Sequence, residues 1–178
     1  SIYYLDDFKD ILSSIATKVD TFYINKNEHY RANSPVETRE DRFISWLLKK
    51  YPAHNVAKSN PILQRQRSIK HPDEIDQIKK ACDITGKGFN RVLKFIKPGV
   101  WEYEIEAEFI HEFINSSSKG FAYSPIIASG NDNNVLHYTK NNKQCKSGEL
   151  ILMDVGAEYG NYSSDMTRTI PVLSLIHI

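Results

Sequence analysis

Two aspartates near the C-terminal end are placed where carboxylates can do chemistry. Asp154 follows directly on the apolar run Leu150-Ile151-Leu152-Met153, so it is expected in a largely buried site. A buried charge is costly unless it has a partner, a hydrogen-bond shell or a metal. Asp165 lies eleven positions on, across a turn at 156–160. An antiparallel hairpin of that length folds the two carboxylates back beside each other. Adjacent carboxylates repel, and a divalent cation removes the repulsion. Oxygen-rich sites of this kind suit manganese, magnesium or similar hard ions. Taken on residue types alone, a second reading stays open: Asp154 caps a turn and Asp165 pairs with Arg168. His137 is the third candidate, in the run Asn134-Val135-Leu136-His137-Tyr138. On a short strand it could be a ligand, an acid/base group, a substrate donor or a satisfied structural residue. Tyr159, Tyr162, Thr167 and Arg168 surround the hairpin, with packing or surface pairing as their plain roles.

The elements that must position these residues form two regions with a seam at 60–70. In the first, Leu5, Phe8, Ile11, Leu12 and Ile15 recur at helical spacing. Thr21-Phe22-Tyr23-Ile24 reads as a short strand closed by Asn25-Lys26-Asn27. A helix is expected after Ser34-Pro35, carrying Phe43, Trp46 and Leu47 and ending near Lys50. The seam, through Gln64-Arg65-Gln66-Arg67-Ser68-Ile69-Lys70, is polar and basic and reads as a linker or an interdomain contact. The second region opens with a helix from Pro72, with Asp73 and Glu74 at its positive end. Its expected apolar stripe is Ile75, Ile78, Cys82, Phe89, Val92, Leu93 and Ile96, with Gly86 and Gly88 weakening the middle. A second helix over 101–115 sets Ile105, Phe109 and Phe113 on one side and Glu102, Glu104, Glu106 and Glu108 on the other. Strands are then expected at 123–129, 135–139, 149–157 and 162–170. Helices followed by antiparallel strands argue for an α+β layer.

Composition narrows the function classes. Hydrophobic residues make up 40% and charged residues 25% of the 178, as in ordinary globular domains. The formal net charge is +1, so no overall field draws the chain to nucleic acid or an acidic membrane. No run approaches the length of a membrane span, and residues 1–10 hold too many charges for a signal-peptide core. Cys82 and Cys145 form no CxxC pair and no disulfide framework, which fits a reducing, cytoplasmic compartment.

At the motif level the chain resembles a known family. The run 138–171, with the blocks Asp154-Val155-Gly156-Ala157-Glu158-Tyr159 and Asp165-Met166-Thr167-Arg168-Thr169, is similar to aminopeptidase P. These are Xaa-Pro aminopeptidases of the pita-bread metallopeptidase fold. Ser129-Gly130-Asn131 and Leu136-His137-Tyr138 share the likeness. It joins a histidine, an aspartate seventeen positions on and a second aspartate eleven further on.

The resemblance implies an α+β chain: a partial α/β amino-terminal domain followed by the first half of a pita-bread, creatinase/aminopeptidase-like catalytic domain. Residues 1–68 match the C-terminal part of the former plus a linker, and 69–172 the first half of the latter. It implies release of the N-terminal residue from peptides with proline second. It also implies two divalent metal ions, manganese being the expected one, held by two aspartates, one histidine and two glutamates. Asp154 resembles the first aspartate ligand and Asp165 the one that bridges both metals. His137 resembles a histidine that contacts substrate near the scissile bond and is not a ligand. The family's remaining ligands lie beyond the second aspartate, so the expectation is an incomplete metal site and an inactive, C-terminally truncated fragment. Residues 173–178 are expected to be a non-native tail, and His177 is not taken as a replacement ligand. The partner expected is an Xaa-Pro peptide, with no nucleic acid, no membrane, and a homo-oligomer for the full-length protein. The competing readings are a prolidase acting on Xaa-Pro dipeptides and a non-catalytic pita-bread module that binds peptides.

Overall fold

A computed structural model describes residues 2–25 and 36–173. The chain divides into two compact units, Ser1–Lys70 and His71–Ile178. Lys26, Asn27, Ser34 and Pro35, and residues 174–178 of the expected tail, lie outside the described residues.

In the first unit a single 3-10 turn, Leu5–Asp7, leads into α1 (Phe8–Ala16). Then follow β1 (Thr21–Ile24), α2 (Arg39–Lys50), β2 (Asn55–Lys58) and α3 (Asn60–Ser68). β1 and β2 pair in parallel, with Thr21 opposite Asn55 and Ile24 opposite Lys58. Parallel neighbours need a long crossover, and the connection that contains α2 supplies it. Thr38 starts α2: its hydroxyl accepts from the Asp41 N–H at 3.2 Å, and the Asp41 carboxylate accepts from the Thr38 N–H at 3.2 Å. That capping box sets the start of the helix. The basic seam has regular structure of its own. Residues 60–68 are helical, because Gln, Leu and Arg are good helix formers and Pro61 sits in the first turn.

The second unit begins with α4 (Pro72–Phe95), capped by His71, whose N–H donates to Glu74 at 2.7 Å. α4 buries Ala81, Ile84, Thr85, Gly88, Phe89 and Val92. Ile75, Cys82 and Leu93, expected in the stripe, are exposed. The buried face includes Gly88, where α5 (Glu102–Asn115) approaches at close range. A Cβ on Gly88 would lie 2.7 Å from Phe113 and 2.9 Å from Phe109.

The strands are β3 (Gly120–Phe121), β4 (Ile126–Ser129), β5 (Leu150–Val155), β6 (Ala157–Tyr159), β7 (Tyr162–Ser163) and β8 (Met166–Pro171). They form two antiparallel sheets, ordered β4-β5-β8 and β3-β6-β7. Ile127, Ile151, Met153 and Val155 pack with Ile84, Phe89, Val92, Ile105, Phe109 and Phe113 in one core.

The two long hairpin strands expected from the pattern each break in two, at Gly156 and around Ser164. The carbonyl of Ser164 passes where a Cβ on Gly156 would lie. The buried Ala157 N–H is satisfied by side chains: Thr85 Oγ1 of α4 at 2.9 Å and Ser164 Oγ at 3.0 Å. No strand forms at 135–139. A 3-10 turn, Gly130–Asn134, follows β4 and leads into an irregular segment.

Candidate active site

The hairpin register places the two aspartates. Asp154 is the fifth residue of β5 and faces Ile126 on β4 and Thr167 on β8. Asp165 stands just before β8, whose first residue, Met166, pairs with Val155. Gly156, between β5 and β6, lets the Ser164 carbonyl pass close by, one residue before Asp165. Asp154 is half-buried and Asp165 is exposed, so the largely buried site expected for Asp154 is only partly realised. Its side chain opens toward a cleft, while its strand neighbours Met153 and Val155 enter the core.

One atom joins the two carboxylates. The Tyr123 hydroxyl lies 2.6 Å from Asp154 Oδ1 and 3.0 Å from Asp165 Oδ1. Burial, and then the hydrogen bonds to Asp154 and Asp165, push the phenol's pKa well up. The group therefore stays a neutral donor through the physiological range. Among the described residues neither aspartate forms an ion pair with a cationic side chain, and Arg168 donates to the Thr167 carbonyl.

His137 reaches the same place from a loop. Its φ is +53°, and that of Asn141 is +44°. Such backbone is uncommon for non-glycine residues and persists only where the surroundings over-determine it. The surroundings here are specific. Asn133 accepts from the Leu152 N–H and donates to the Leu150 carbonyl, both at 3.1 Å, as β4 leaves β5. Asn141, buried, accepts from the Ile127 N–H at 3.0 Å and donates to Glu106 at 2.9 Å and to the Pro125 carbonyl at 3.1 Å. Tyr138 donates to Glu102 at 2.8 Å. Glu102 and Glu106 thus face the loop, one turn apart, and not solvent with Glu104 and Glu108 as the pattern suggests.

A cavity of about 420 Å³ is lined by Tyr123, Ser124, Ile126, His137, Thr139, Asp154 and Asp165. It brings together the three residues singled out from the sequence. Tyr123, Ser124 and Thr139 were not singled out. Tyr123 is 31 and 42 positions from the carboxylates it bridges, so no local spacing announces it.

A sequence model of metallopeptidase family M24 matches residues 76–175, more than half of the chain. The chain belongs to metallopeptidase family M24. Among curated M24 relatives, the Xaa-Pro aminopeptidase of Escherichia coli (strain K12) is 38% identical over 112 residues, 63% of this chain and 25% of the relative. Xaa-Pro aminopeptidase 3 of Mus musculus is 30% identical over 171 residues, 96% of this chain and 33% of the relative. A Bacillus anthracis structure assigned to aminopeptidase P superposes with TM-score 0.87 at 32% identity, covering 97% of this chain and 41% of that one. A zinc-substituted E. coli aminopeptidase P in complex with product gives TM-score 0.78 at 29% identity, covering 93% and 38%. The fold is therefore that of the aminopeptidase P pita-bread enzymes, of which this M24 chain covers part. It spans about a quarter of the length of the first curated relatives it matches, 25% and 26%. Among the described residues no helix is long and apolar enough to cross a membrane.

M24 membership implies divalent metal, and the observed groups fit one in part. Asp154 and Asp165 offer hard oxygen donors converging on one point, marked by the shared Tyr123 hydroxyl. Among the described residues no third His, Cys, Asp or Glu joins them in a metal-sized cluster. A divalent ion takes about four to six donors, so these two supply a share of a site and not the whole.

Proposed function

We propose that this chain is part of a metal-dependent Xaa-Pro aminopeptidase in which Asp154 and Asp165 hold divalent cations and His137 contacts the substrate. The observation that carries the reading is the convergence of both carboxylates on the Tyr123 hydroxyl in the cavity that His137 lines. By the family pattern Asp154 would hold one metal and Asp165 would be shared by two, manganese being the expected ion. Remaining ligands would come from other parts of a full-length protein, and this chain alone is expected to be inactive. Bound divalent metal would lower the pKa of a water and polarise a peptide carbonyl.

This chain's own groups supply part of the site. The two carboxylates present negative charge to a bound cation or to a substrate amine. Tyr123 holds them together through its proton. Ser124 and Thr139 offer hydroxyls to the cavity, and His137 offers an imidazole on a backbone that fixes where it stands. An Xaa-Pro bond lacks an N–H and restricts the preceding residue, so general peptidases handle it poorly and a dedicated site is reasonable.

In the same reading, residues 1–68 are the end of an amino-terminal domain and 69–172 the first half of the catalytic domain. The full-length enzyme is a homo-oligomer acting on peptides in the cytoplasm, where the exposed Cys82 thiol stays reduced. The test has two parts. Manganese titration of the chain, read by electron paramagnetic resonance, is expected to show binding that Asp154→Asn or Asp165→Asn weakens at least about tenfold. Equal binding by all three proteins would refute the ligand assignment. For the full-length gene product, hydrolysis of Xaa-Pro-Yaa tripeptides supports the aminopeptidase. Cleavage of Xaa-Pro dipeptides alone would make it a prolidase.

A further inference from the structure

Glu102 is a fully buried carboxylate, at 0% exposure, on the first turn of α5. Its Oε1 accepts from the Ser129 N–H and the Ser129 hydroxyl, both at 2.7 Å. Its Oε2 accepts from the Tyr138 hydroxyl at 2.8 Å and the Lys143 N–H at 3.0 Å. The Glu102 N–H in turn donates to the Lys143 carbonyl at 2.9 Å. Ser129 ends β4, and Tyr138 and Lys143 lie on the far side of the loop that carries His137. A single side chain therefore ties both ends of that loop to one helix terminus.

We infer that Glu102 is the positioning residue of the His137 loop, holding Ser129 and residues 138–143 so that His137 stands in the cavity with Asp154 and Asp165. This rests on the reading of His137 as a substrate-contacting group. The chemistry of the contacts supports a carboxylate specifically. Each oxygen meets one hydroxyl, which could turn round to accept, and one backbone N–H, which cannot. A glutamine amide, whichever way it is turned, sets its NH2 against either the Ser129 or the Lys143 N–H. The site therefore requires two acceptors, and a shape-matched neutral side chain does not meet that requirement. His137 needs such an anchor because its own backbone lies in the left-handed region, φ +53°, and its side chain is exposed.

The experiment is nuclear magnetic resonance on the 178-residue chain, comparing wild type with Glu102→Gln and Tyr138→Phe. Amide exchange is read at Ser129, Lys143, Met153 and Val155, with the His137 imidazole signal followed alongside. In Glu102→Gln, Ser129 and Lys143 are expected to exchange at least about tenfold faster. The His137 signal should shift toward that of a free histidine, while Met153 and Val155 in β5 keep their protection. Tyr138→Phe, which leaves both backbone contacts, should give a smaller change of the same kind. If Glu102→Gln does not fold, Tyr138→Phe decides on the same signals. An unchanged His137 signal in the folded variant overturns the inference. So does a uniform loss of protection across β5, which would make Glu102 a general core residue. Manganese added to the wild-type sample separates this from the functional reading. Broadening near Asp154 and Asp165 that Asp165→Asn removes supports the metal assignment, and broadening that Asp165→Asn leaves unchanged defeats it, with the Glu102 result standing in either case.

Discussion

Alanine at two glycines of the same helix should move stability in opposite directions. Gly86 and Gly88 both lie inside α4, where replacing glycine by alanine gains about 1 kcal/mol from backbone entropy alone. At Gly86 a Cβ meets nothing within 4 Å, so the gain is expected in full. At Gly88 it would lie 2.7 Å from Phe113 Cε1, 2.9 Å from Phe109 Cδ1 and 3.4 Å from Phe109 Cε1. Neither ring has room to turn aside. Phe109 packs edge-on against Phe89 at 5.1 Å, and Phe113 packs edge-on against Phe121 at 5.2 Å. Both rings are fully buried. The helices must then separate, and overpacking of that kind costs about 1–3 kcal/mol. Taking the upper part of the range for two ring contacts, Gly88→Ala should be destabilised by about 1–2 kcal/mol net. The two variants should differ by about 2–3 kcal/mol, or roughly 5–10 °C in Tm. Urea unfolding in a Trp46→Phe background, followed by the fluorescence of Trp101 in the N-cap position of α5, measures this in the second unit. A Gly88→Ala protein as stable as Gly86→Ala would refute the close approach of α4 and α5.

Three further outcomes test the interior around the site. Cys82 is exposed and Cys145 buried, with the Cys145 thiol pushed up to about 11 by burial and then by the Glu102 charge. Iodoacetamide at pH 8 should therefore label Cys82 alone in the native chain and both thiols in urea; equal native labelling, read by mass spectrometry, would contradict the packing. The same shift means the folded chain holds that proton more tightly than the unfolded one. Its stabilising effect is complete below the ordinary thiol value of 9.0 and is lost as pH rises through about 11, so urea midpoints should fall over that window, and less steeply in Cys145→Ala. Thr85→Val keeps the shape of a buried residue and removes the hydroxyl that meets Ser164 Oγ at 2.6 Å and accepts from Ala157 at 2.9 Å. It should cost about 1–3 kcal/mol, with Thr85→Ser recovering most of it, and a variant as stable as wild type would show that Ser164 alone satisfies the strand break.

Local pattern made several elements legible. Pro72 with Asp73 and Glu74 marks the start of α4, the period of Ile105, Phe109 and Phe113 marks the buried face of α5, and the run at 150–153 marks β5. The eleven-residue spacing of Asp154 and Asp165 is a property of one hairpin, so the sequence determines that the two carboxylates lie close together. The same local logic misread residues whose role depends on distant partners. Glu102 looks like an outer-face glutamate by helical period, yet its four donors come from Ser129, Tyr138 and Lys143, up to 41 positions away. His137 looks like a strand residue by alternation, yet Asn133, Asn141 and Tyr138 hold the backbone on either side of it in a loop. β2 and α3 were hidden by polar composition, since a short parallel strand is defined by its crossover partner more than by its own residues.

The sequence by itself determined which groups can do chemistry and that two of them share a hairpin. Only the tertiary structure decided that Tyr123 bridges those two and that His137 opens into the same cavity. Periodicity reports which face of an element meets the core. It carries no record of which hydrogen-bond partner, tens of residues away, will satisfy a buried charge, and those pairings are what set this site.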